Sequence, residues 1–214
     1  MGRLIDISPR VSPVTAVWPG DVPFERQVAL SLAAGDTLEL SAIRSTVHVG
    51  AHADAPSHYH VDGRAIDAQP LEPYCGPCQV LEVRLPRGAR ILPEHLDAAL
   101  GAQALAPRVL FKTGSFPDPD AFNEDFNSLS PELVERLHAG GCVLVGIDTP
   151  SVDPFASKAL ESHQALYRTG MANLEGVVLD AVSPGRYTLL ALPLKLAGCD
   201  ASPVRAVLVE GALD

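Results

Sequence analysis

The segment from Thr46 to His58 constrains the fold and chemistry of this chain more than any other stretch. It reads Thr-Val-His-Val-Gly-Ala-His-Ala-Asp-Ala-Pro-Ser-His. Gly50 and Pro56 oppose a helix, whereas the β-branched residues at its start favour extended chain. Since alternate residues of an extended chain share a face, the segment predicts a strand with two unlike faces.

The two faces of this histidine segment differ in residue type. One face comprises the small or apolar residues Val47, Val49, Ala51, Ala53 and Ala55, and the other comprises His48, Gly50, His52, Asp54, Pro56 and His58. Three of the seven histidines of the chain fall in this short stretch. Imidazole nitrogen and carboxylate oxygen are donors for zinc, manganese and similar divalent ions. The segment therefore predicts a divalent-metal site, with a purely structural histidine cluster as the alternative.

Strand and helix patterns recur along the chain, which has no repeat, low-complexity tract or composition break. Strands are predicted over Val47 to Ala53, Gln79 to Leu85, Arg108 to Lys112, Cys142 to Ile147, Val177 to Leu179, Tyr187 to Leu192 and Val204 to Val209. Helices are predicted over Pro93 to Leu100, from Pro131 to about Ala139 with Ser130 as N-cap, and from just after Asp153-Pro154 to near Gly170. These patterns indicate one α/β domain over residues 1–214, with a mixed β-sheet core and a few flanking helices.

The tetrapeptide Cys75-Gly76-Pro77-Cys78 copies the active-site motif of thioredoxins. In that chemistry the first cysteine lies at a helix N-terminus, which lowers the pKa of its thiol. Here the alternating segment from Gln79 to Leu85 follows and predicts a strand. We therefore interpret the tetrapeptide as a turn leading into a strand, and a redox role is the alternative.

Charge and cysteine content limit the class of partner and the compartment. The formal net charge of -10 disfavours a nucleic-acid backbone or an anionic membrane surface as partner. No apolar run reaches the length of a membrane-spanning helix, and the N-terminus lacks the apolar region of a signal peptide. Four cysteines in a chain of 214 residues do not form a disulfide scaffold and fit a reducing compartment. We therefore expect a cytoplasmic protein.

Further short motifs accompany the histidine segment. They are Trp18-Pro19-Gly20-Asp21, Lys112-Thr113-Gly114 and Gly146-Ile147-Asp148-Thr149-Pro150-Ser151-Val152-Asp153, together with His163 and Glu175. The histidine segment matches the pattern H-x-G-[TA]-H-x-D-x-P-x-H, and over its whole length the chain resembles the cyclase family of metal-dependent hydrolases. Within that family it looks like the bacterial kynurenine formamidase branch. One departure is Ala51, where Thr is commoner, on the face that points away from the ligands.

The resemblance implies a swivelling β/β/α fold and two divalent metal ions per subunit, zinc being favoured and manganese or another divalent ion being the alternative. The first ion would be held by His48, His52 and Asp54. Asp54 and Glu175 would bridge the ions, and His163 would complete the second site. His58 would be the acid–base residue and not a permanent ligand.

Two more carboxylates of the motifs are interpreted as structural. Asp153 is predicted to cap a helix, and Asp148 is predicted to lie in a turn or to support the ligands. The histidines His60, His95 and His138 lie in polar or helix-surface contexts and are not assigned to the site.

The resemblance also implies a reaction, the hydrolysis of N-formyl-L-kynurenine to L-kynurenine and formate by a hydroxide held between the ions. An imidazole pKa near roughly 6.5 suits His58 to take a proton from water and to return it to the departing aniline nitrogen. Trp18, the single tryptophan, is either an aromatic wall against the substrate ring or a core anchor. A homodimer is implied as well. The alternatives are a family member that opens isatin or another cyclic amide, and a metal-binding module without catalysis.

Overall fold

The computed structural model describes residues 2–211, which form thirteen strands, three α-helices and four single-turn 3-10 helices. The strands are β1 (Leu4–Asp6), β2 (Glu25–Leu30), β3 (Leu40–Arg44), β4 (His52–Asp54), β5 (Cys75–Glu82), β6 (Arg90–Ile91), β7 (Arg108–Lys112), β8 (Ser128–Leu129), β9 (Leu144–Ile147), β10 (Ala172–Leu174), β11 (Gly185–Leu190), β12 (Ala201–Pro203) and β13 (Val207–Val209). The helices are α1 (Pro93–Leu100), α2 (Pro131–Ala139) and α3 (Glu161–Thr169). Within residues 2–211 no helix is long and apolar enough to cross a membrane.

Seven strands form the central sheet in the order β1-β13-β11-β5-β7-β9-β10. The neighbours β5, β7, β9 and β10 run parallel, whereas β11 is antiparallel to both β5 and β13, and β1 is antiparallel to β13. Helices α2 and α3 lie in the connections between parallel strands, as crossovers require. The α/β class with a mixed sheet, predicted from the sequence, is confirmed.

The central strands are buried on both faces. All five residues of β7 are buried, and neighbours in the strand belong to different core clusters. Phe111 belongs to the cluster that contains Leu96 of α1 and Leu133 of α2. Leu110 belongs to the cluster that contains Ala53 of the histidine segment. The sheet therefore separates the helical layer from the layer that carries this segment.

The first two helices and β7 have the predicted bounds. The Oγ of Ser130 accepts a hydrogen bond from the backbone N–H of Leu133, which confirms Ser130 as the N-cap of α2. Strands β5, β9, β11 and β13 overlap the segments predicted for them. Elements that bury one face or both were therefore the predictable part of the fold.

The third helix begins later than predicted. It starts at Glu161, not just after Pro154, and Leu160 before it has a left-handed φ of 49° that prevents extension of the helix backwards. The carboxylate of Asp153 accepts hydrogen bonds from the backbone N–H groups of Ser162 and His163, at 2.9 and 3.0 Å. The prediction of Asp153 as the N-cap residue is therefore wrong, since Leu160 holds that position, but the Asp153 carboxylate satisfies two N–H groups of the first turn from across an intervening loop.

The strand predicted after β10 does not form. Residues 177–179 form no strand, although Val177 and Leu179 are buried as their alternation predicts. Gly176 has a φ of +66° and turns the chain away from β10. The backbone N–H of Val178 then donates to the carbonyl of Ile7, 2.8 Å away, outside any ladder.

The Cys75-Gly76-Pro77-Cys78 tetrapeptide lies inside β5, so the predicted turn before that strand is wrong. Both of its cysteines are free. Burial raises the pKa of the Cys78 thiol to about 12, which disfavours the thiolate that redox chemistry requires. No α-helix begins at Cys75, so the feature that activates a thioredoxin thiol is missing from this part of the chain.

Strands β2 and β3 pair as an antiparallel hairpin in which every residue is exposed. Its exposed apolar side chains include Val28, Leu30, Leu40 and Ile43, the last with 72% of its surface accessible. Neither strand was predicted. The hairpin is thus an apolar surface that residues 2–211 of one chain leave uncovered.

Two short β pairings bring residues that are distant in sequence to the histidine segment. Strand β4 pairs with β12 so that Asp54 lies opposite Ala201. His52 and Glu175 exchange two backbone hydrogen bonds of 3.0 Å in an isolated bridge. The segment therefore lies between the end of β10 and the start of β12.

Candidate metal centre

The histidine segment forms a turn followed by the short strand β4, not the single strand predicted from Val47. Residues 47–50 turn, and Gly50 has a φ of +62°. The predicted burial of alternate residues nevertheless holds from Val49 onwards, because the side chains of Val49, Ala51, Ala53 and Ala55 are at most 3% exposed. Their burial directs the intervening polar side chains to the opposite side.

Three of these polar side chains form a first candidate ligand group. His48 Nδ1 lies 3.0 Å, and His52 Nε2 3.5 Å, from Asp54 Oδ1. One ligand atom from each residue lies within 4.8 Å of the other two. The ring of His52 is held by its Nδ1, 2.9 Å from the carbonyl oxygen of Gly50, which leaves Nε2 to face the group.

A second candidate group comprises Asp54, His163 and Glu175, all buried. His163 projects from α3, and its Nε2 lies 3.3 Å from both Asp54 Oδ2 and Glu175 Oε1. Glu175 directly follows β10. The structure thus brings together the five residues that the sequence predicted as metal ligands.

The two carboxylates face both groups through different oxygens. Asp54 turns Oδ1 toward His48 and His52 and Oδ2 toward His163. Glu175 Oε2 lies 3.4 Å from His52 Nε2, while Oε1 lies beside His163. Each carboxylate can therefore contribute one oxygen to each of two cations.

The carboxylates set the charge of the group. Burial lowers the pKa of His48, but Asp54 and Asp200 outweigh it and raise that pKa to about 9. Burial likewise lowers the pKa of His163, and its carboxylate neighbours raise it well above the usual value. The pKa of Asp54, which burial alone would raise, is lowered well below its usual value by the imidazoles. The buried carboxylates therefore stabilise positive charge at the site.

The donor set fits a divalent cation. Three imidazoles and two carboxylates are the ligands of borderline divalent ions. Asp54 Oδ1 is buried and accepts no well-aligned hydrogen bond in the described part of the chain, although two ring nitrogens lie within 3.5 Å. A buried oxygen without a partner is costly, and a cation would satisfy it while displacing protons from the histidines.

The carboxylates of the predicted motif near residue 150 support the site and its surroundings. Asp153 Oδ2 lies 2.8 Å from His163 Nδ1, so it orients this ring in addition to accepting hydrogen bonds from α3. Asp148 accepts hydrogen bonds of 2.8 and 2.9 Å from the backbone N–H groups of Thr113 and Gly114, in agreement with its predicted role in a turn. Burial raises the pKa of the Asp148 carboxyl.

Two supporting hydrogen-bond donors were not predicted. Asn173 Nδ2 donates to Asp54 Oδ2 at 2.8 Å and lies 3.2 Å from Glu175 Oε1. The backbone N–H of Val152 donates to the same glutamate oxygen at 2.9 Å. Asn173 in β10 and Val152 in the loop after β9 thus fix the two carboxylates. An asparagine inside a short strand gives no sequence signal of such a role.

His58 lies beside the first group, at the end of a 3-10 turn over Pro56–His58. Its ring centroid is 4.2 Å from that of His48. Asp200, which sequence analysis missed, places Oδ2 at 3.2 Å from His58 Nδ1 and at 3.0 Å from His48 Nε2. A lone aspartate near the C-terminus belongs to no motif, and only the β4–β12 pairing brings it here.

A cavity of about 720 Å³ adjoins these groups and is lined by His48, His52, His58, His163 and Glu175. Its aromatic wall consists of Trp18, Phe116, Phe122 and Phe155. The ring of Trp18 lies 5.0 Å from that of Phe155 and 5.6 Å from that of Phe122. Trp18 is half-buried and lines the cavity, which supports the aromatic-wall interpretation over that of a core anchor.

Comparison with known proteins identifies the family of this chain. The protein-family model described as Cyclase matches residues 5–154. A kynurenine formamidase from Bordetella petrii is 49% identical over 210 residues, which cover 98% of this chain and 99% of the relative. The resemblance to this branch of the family, seen in the sequence, is thereby confirmed.

Two solved structures have the same fold. One, described as a potential metal-dependent hydrolase with cyclase activity, has a TM-score of 0.83 and 27% identity, and the match covers 100% of both chains. Another, described as a predicted metal-dependent hydrolase from Bacillus stearothermophilus, has a TM-score of 0.80 and 29% identity, and the match covers 97% of this chain and 98% of that one. The family model, the curated relative and the two folds lead to one conclusion: the chain belongs to the cyclase family.

Proposed function

We propose that this protein hydrolyses the formamide bond of N-formyl-L-kynurenine to give L-kynurenine and formate. The observation that carries the proposal is the similarity to the kynurenine formamidase of Bordetella petrii along nearly the whole of both chains. The geometry supports it, because a cavity with an aromatic wall adjoins side chains that fit divalent cations. The cavity volume is in the range of small-molecule sites, about 300–1,000 Å³.

The proposal includes two divalent ions per subunit. The first would be held by His48, His52 and Asp54, and the second by Asp54, His163 and Glu175, so that Asp54 is shared and Glu175 Oε2 also reaches the first site. The mixture of nitrogen and oxygen ligands favours zinc, with manganese as the alternative. When bound, such ions lower the pKa of water and polarise a carbonyl oxygen.

His58 would move the proton. It lines the cavity, lies beside His48 and is outside the two groups that share Asp54. Its imidazole would accept a proton from the attacking water and deliver it to the aniline nitrogen as the C–N bond breaks. The water oxygen then ends in formate, and the amine leaves as a neutral group.

The walls of the cavity suit the remainder of the substrate. The rings of Trp18 and Phe155 would pack against its aryl ring. Lys158 is the only lysine or arginine among the residues that line the cavity, and Asp21 and Glu124 line it as well. We propose that Lys158 pairs with the α-carboxylate of the substrate and that an acidic residue faces its ammonium group.

We further propose a cytoplasmic homodimer formed through the β2–β3 hairpin. Every residue of both strands is exposed, and several are apolar, which is the composition of an association surface. We expect sedimentation equilibrium to give twice the chain mass for the wild type and one chain mass for Ile43→Glu. A monomeric wild type would contradict the proposal.

The four free cysteines fit a reducing cytoplasm.

The proposed reaction is tested by formate release from N-formyl-L-kynurenine, before and after chelation and metal add-back, with isatin as the comparison substrate. We expect rapid release that chelation abolishes and zinc or manganese restores. Faster opening of isatin would favour a cyclic-amide hydrolase instead. A folded, metal-loaded protein without activity on either substrate would refute the formamidase proposal.

A further inference from the structure

Asp200 is the one carboxylate at the centre that belongs to no recognised motif. It directly precedes β12, and its carbonyl oxygen accepts a hydrogen bond of 2.8 Å from the backbone N–H of Ala55. The next residue, Ala201, lies opposite Asp54 in the β4–β12 pair. The β4–β12 ladder, which this hydrogen bond extends by one residue, therefore fixes the backbone of Asp200 against the histidine segment.

One oxygen of Asp200 meets two imidazoles. Oδ2 lies 3.0 Å from His48 Nε2 and 3.2 Å from His58 Nδ1. His48 thus has a carboxylate at each ring nitrogen, since its Nδ1 lies 3.0 Å from Asp54 Oδ1. Asp200 is not among the residues that line the cavity, whereas both histidines are. The contacts of Asp200 with the cavity therefore run through these two histidines.

We propose that Asp200 is a positioning residue that holds His58 in the tautomer with hydrogen on Nδ1, so that Nε2 presents its lone pair to the cavity. A neutral imidazole has one donor and one acceptor nitrogen, and a carboxylate next to Nδ1 can only accept. The same oxygen would accept the Nε2–H of His48. The Nδ1 of that ring would then be free to bind a metal ion beside Asp54. This inference rests on the proposed function, because it gives His58 its acid–base role.

A third cation site is the competing interpretation. His48, His58 and Asp200 have ligand atoms within 4.8 Å of one another. The exposure of the side chains disfavours it, since 48% of Asp200 and 34% of His58 are accessible to water, whereas the Asp54 and Glu175 side chains are almost fully buried. In addition, His48 faces the first group through Nδ1 and Asp200 through Nε2, so it could serve both groups only as a doubly deprotonated imidazolate.

The test is a double-mutant cycle of Asp200→Asn and His58→Ala in the metal-loaded protein. We expect Asp200→Asn alone to lower kcat about 10–100-fold with KM within about twofold, as for other residues that orient ligands and bases. In the His58→Ala background the same change should alter kcat less than about twofold, because residues that act as a unit are not additive. Asp62→Asn, which removes an exposed carboxylate near the same segment, should leave kcat unchanged.

Two further readouts do not depend on turnover. The side-chain ¹⁵N signals of His58 should report the Nδ1–H tautomer in the zinc-loaded wild type and a mixture of tautomers in Asp200→Asn. With zinc in excess, metal content should be equal in the two proteins, because Asp200 binds no ion itself; at limiting zinc the affinity should fall, because His48 loses the partner of its Nε2. An additive cycle, an unchanged tautomer or the loss of an ion from Asp200→Asn in excess zinc would each overturn the proposal, the last in favour of a ligand role. A wild type inactive on N-formyl-L-kynurenine would refute the proposed function, and the tautomer signals would still decide the role of Asp200.

Discussion

Asp153 offers a sharp test of the metal centre, because it contacts the candidate ligands only through His163. Its Oδ2 lies 2.8 Å from His163 Nδ1, and its two oxygens also accept hydrogen bonds from the first N–H groups of α3. The substitution Asp153→Asn keeps the size of the side chain and one oxygen acceptor but removes the negative charge. We expect His163 to lose the partner that fixes its ring and raises its basicity as a ligand.

The magnitude follows from these contacts. Loss of a carboxylate that orients a ligating histidine weakens metal binding by about 10–100-fold. Since a tenfold change corresponds to about 1.4 kcal/mol, the binding free energy at the second site should weaken by about 1.4–2.8 kcal/mol. In Asp153→Asn the amide NH2 would also face a backbone N–H group of α3 that donates to the carboxylate in the wild type, so one donor would lose its acceptor. The free energy of unfolding of the metal-free protein should therefore fall by about 1–3 kcal/mol.

Competition with a chromophoric chelator measures the metal affinity, and urea unfolding of the metal-free protein measures stability. Ser130→Ala is the matched control, because it removes the N-cap of α2, a helix of the same length as α3, without contact with the site. We expect it to lower the free energy of unfolding by about 1 kcal/mol and to leave the metal affinity unchanged. If Asp153→Asn binds both ions as tightly as the wild type, or if Ser130→Ala loses them equally, the reasoning is refuted.

Three substitutions in the cavity separate chemistry from substrate binding. His58→Ala should keep both ions, measured by elemental analysis, and lower kcat about 10²–10⁴-fold, so near wild-type turnover would contradict its acid–base role. Trp18→Ala should raise KM for N-formyl-L-kynurenine about two- to tenfold, because aromatic pairs contribute about 0.5–1.5 kcal/mol, and an unchanged KM would remove it from the substrate site. Lys158→Met should raise the same KM up to about fivefold, as expected for a partly exposed ion pair, and should leave KM for 2-formamidoacetophenone, which lacks the amino-acid group, unchanged. Lys195→Met, which changes a lysine outside the cavity lining, is the matched control and should leave both KM values unchanged. Equal effects of Lys158→Met on both substrates would argue against the α-carboxylate contact.

The local half of the candidate site could be predicted from the sequence, because its ligands are neighbours in the chain. In the histidine segment the alternation of buried alanines with His52 and Asp54 decides which side chains share a face, whether or not the strand begins where expected. The bounds of α2 were predictable for the same reason: Ser130 and Pro131 signal its start, and Gly140 its end.

The distant half could not be predicted from local pattern. His163 and Glu175 were assigned through the family resemblance, and Asp200 and Asn173 were missed because only strand pairing brings them to the centre. The start of α3 depends on Asp153, whose side chain accepts hydrogen bonds from the helix across the loop that separates them.

The β2–β3 hairpin was missed for a different reason. Alternation identifies a strand only when one of its faces is buried within the chain. Here both faces of an isolated strand pair are exposed, and apolar residues such as Val28 and Ile43 are exposed with them. The aromatic wall was equally hidden, since Phe116, Phe122 and Phe155 are scattered residues that only the folded loops bring around Trp18.

The carboxylate shared between the two ligand groups has a consequence for the stability of the protein in a cell. Asp54 and His163 are 109 residues apart in the chain, so ions held between them would act as cross-links that tie the ends of long loops together. Binding to the folded chain alone adds about 2.7 kcal/mol to its stability when free metal exceeds the dissociation constant a hundredfold. Metal supply would then govern the amount of folded protein as well as turnover, and a cell short of the metal would degrade this protein faster.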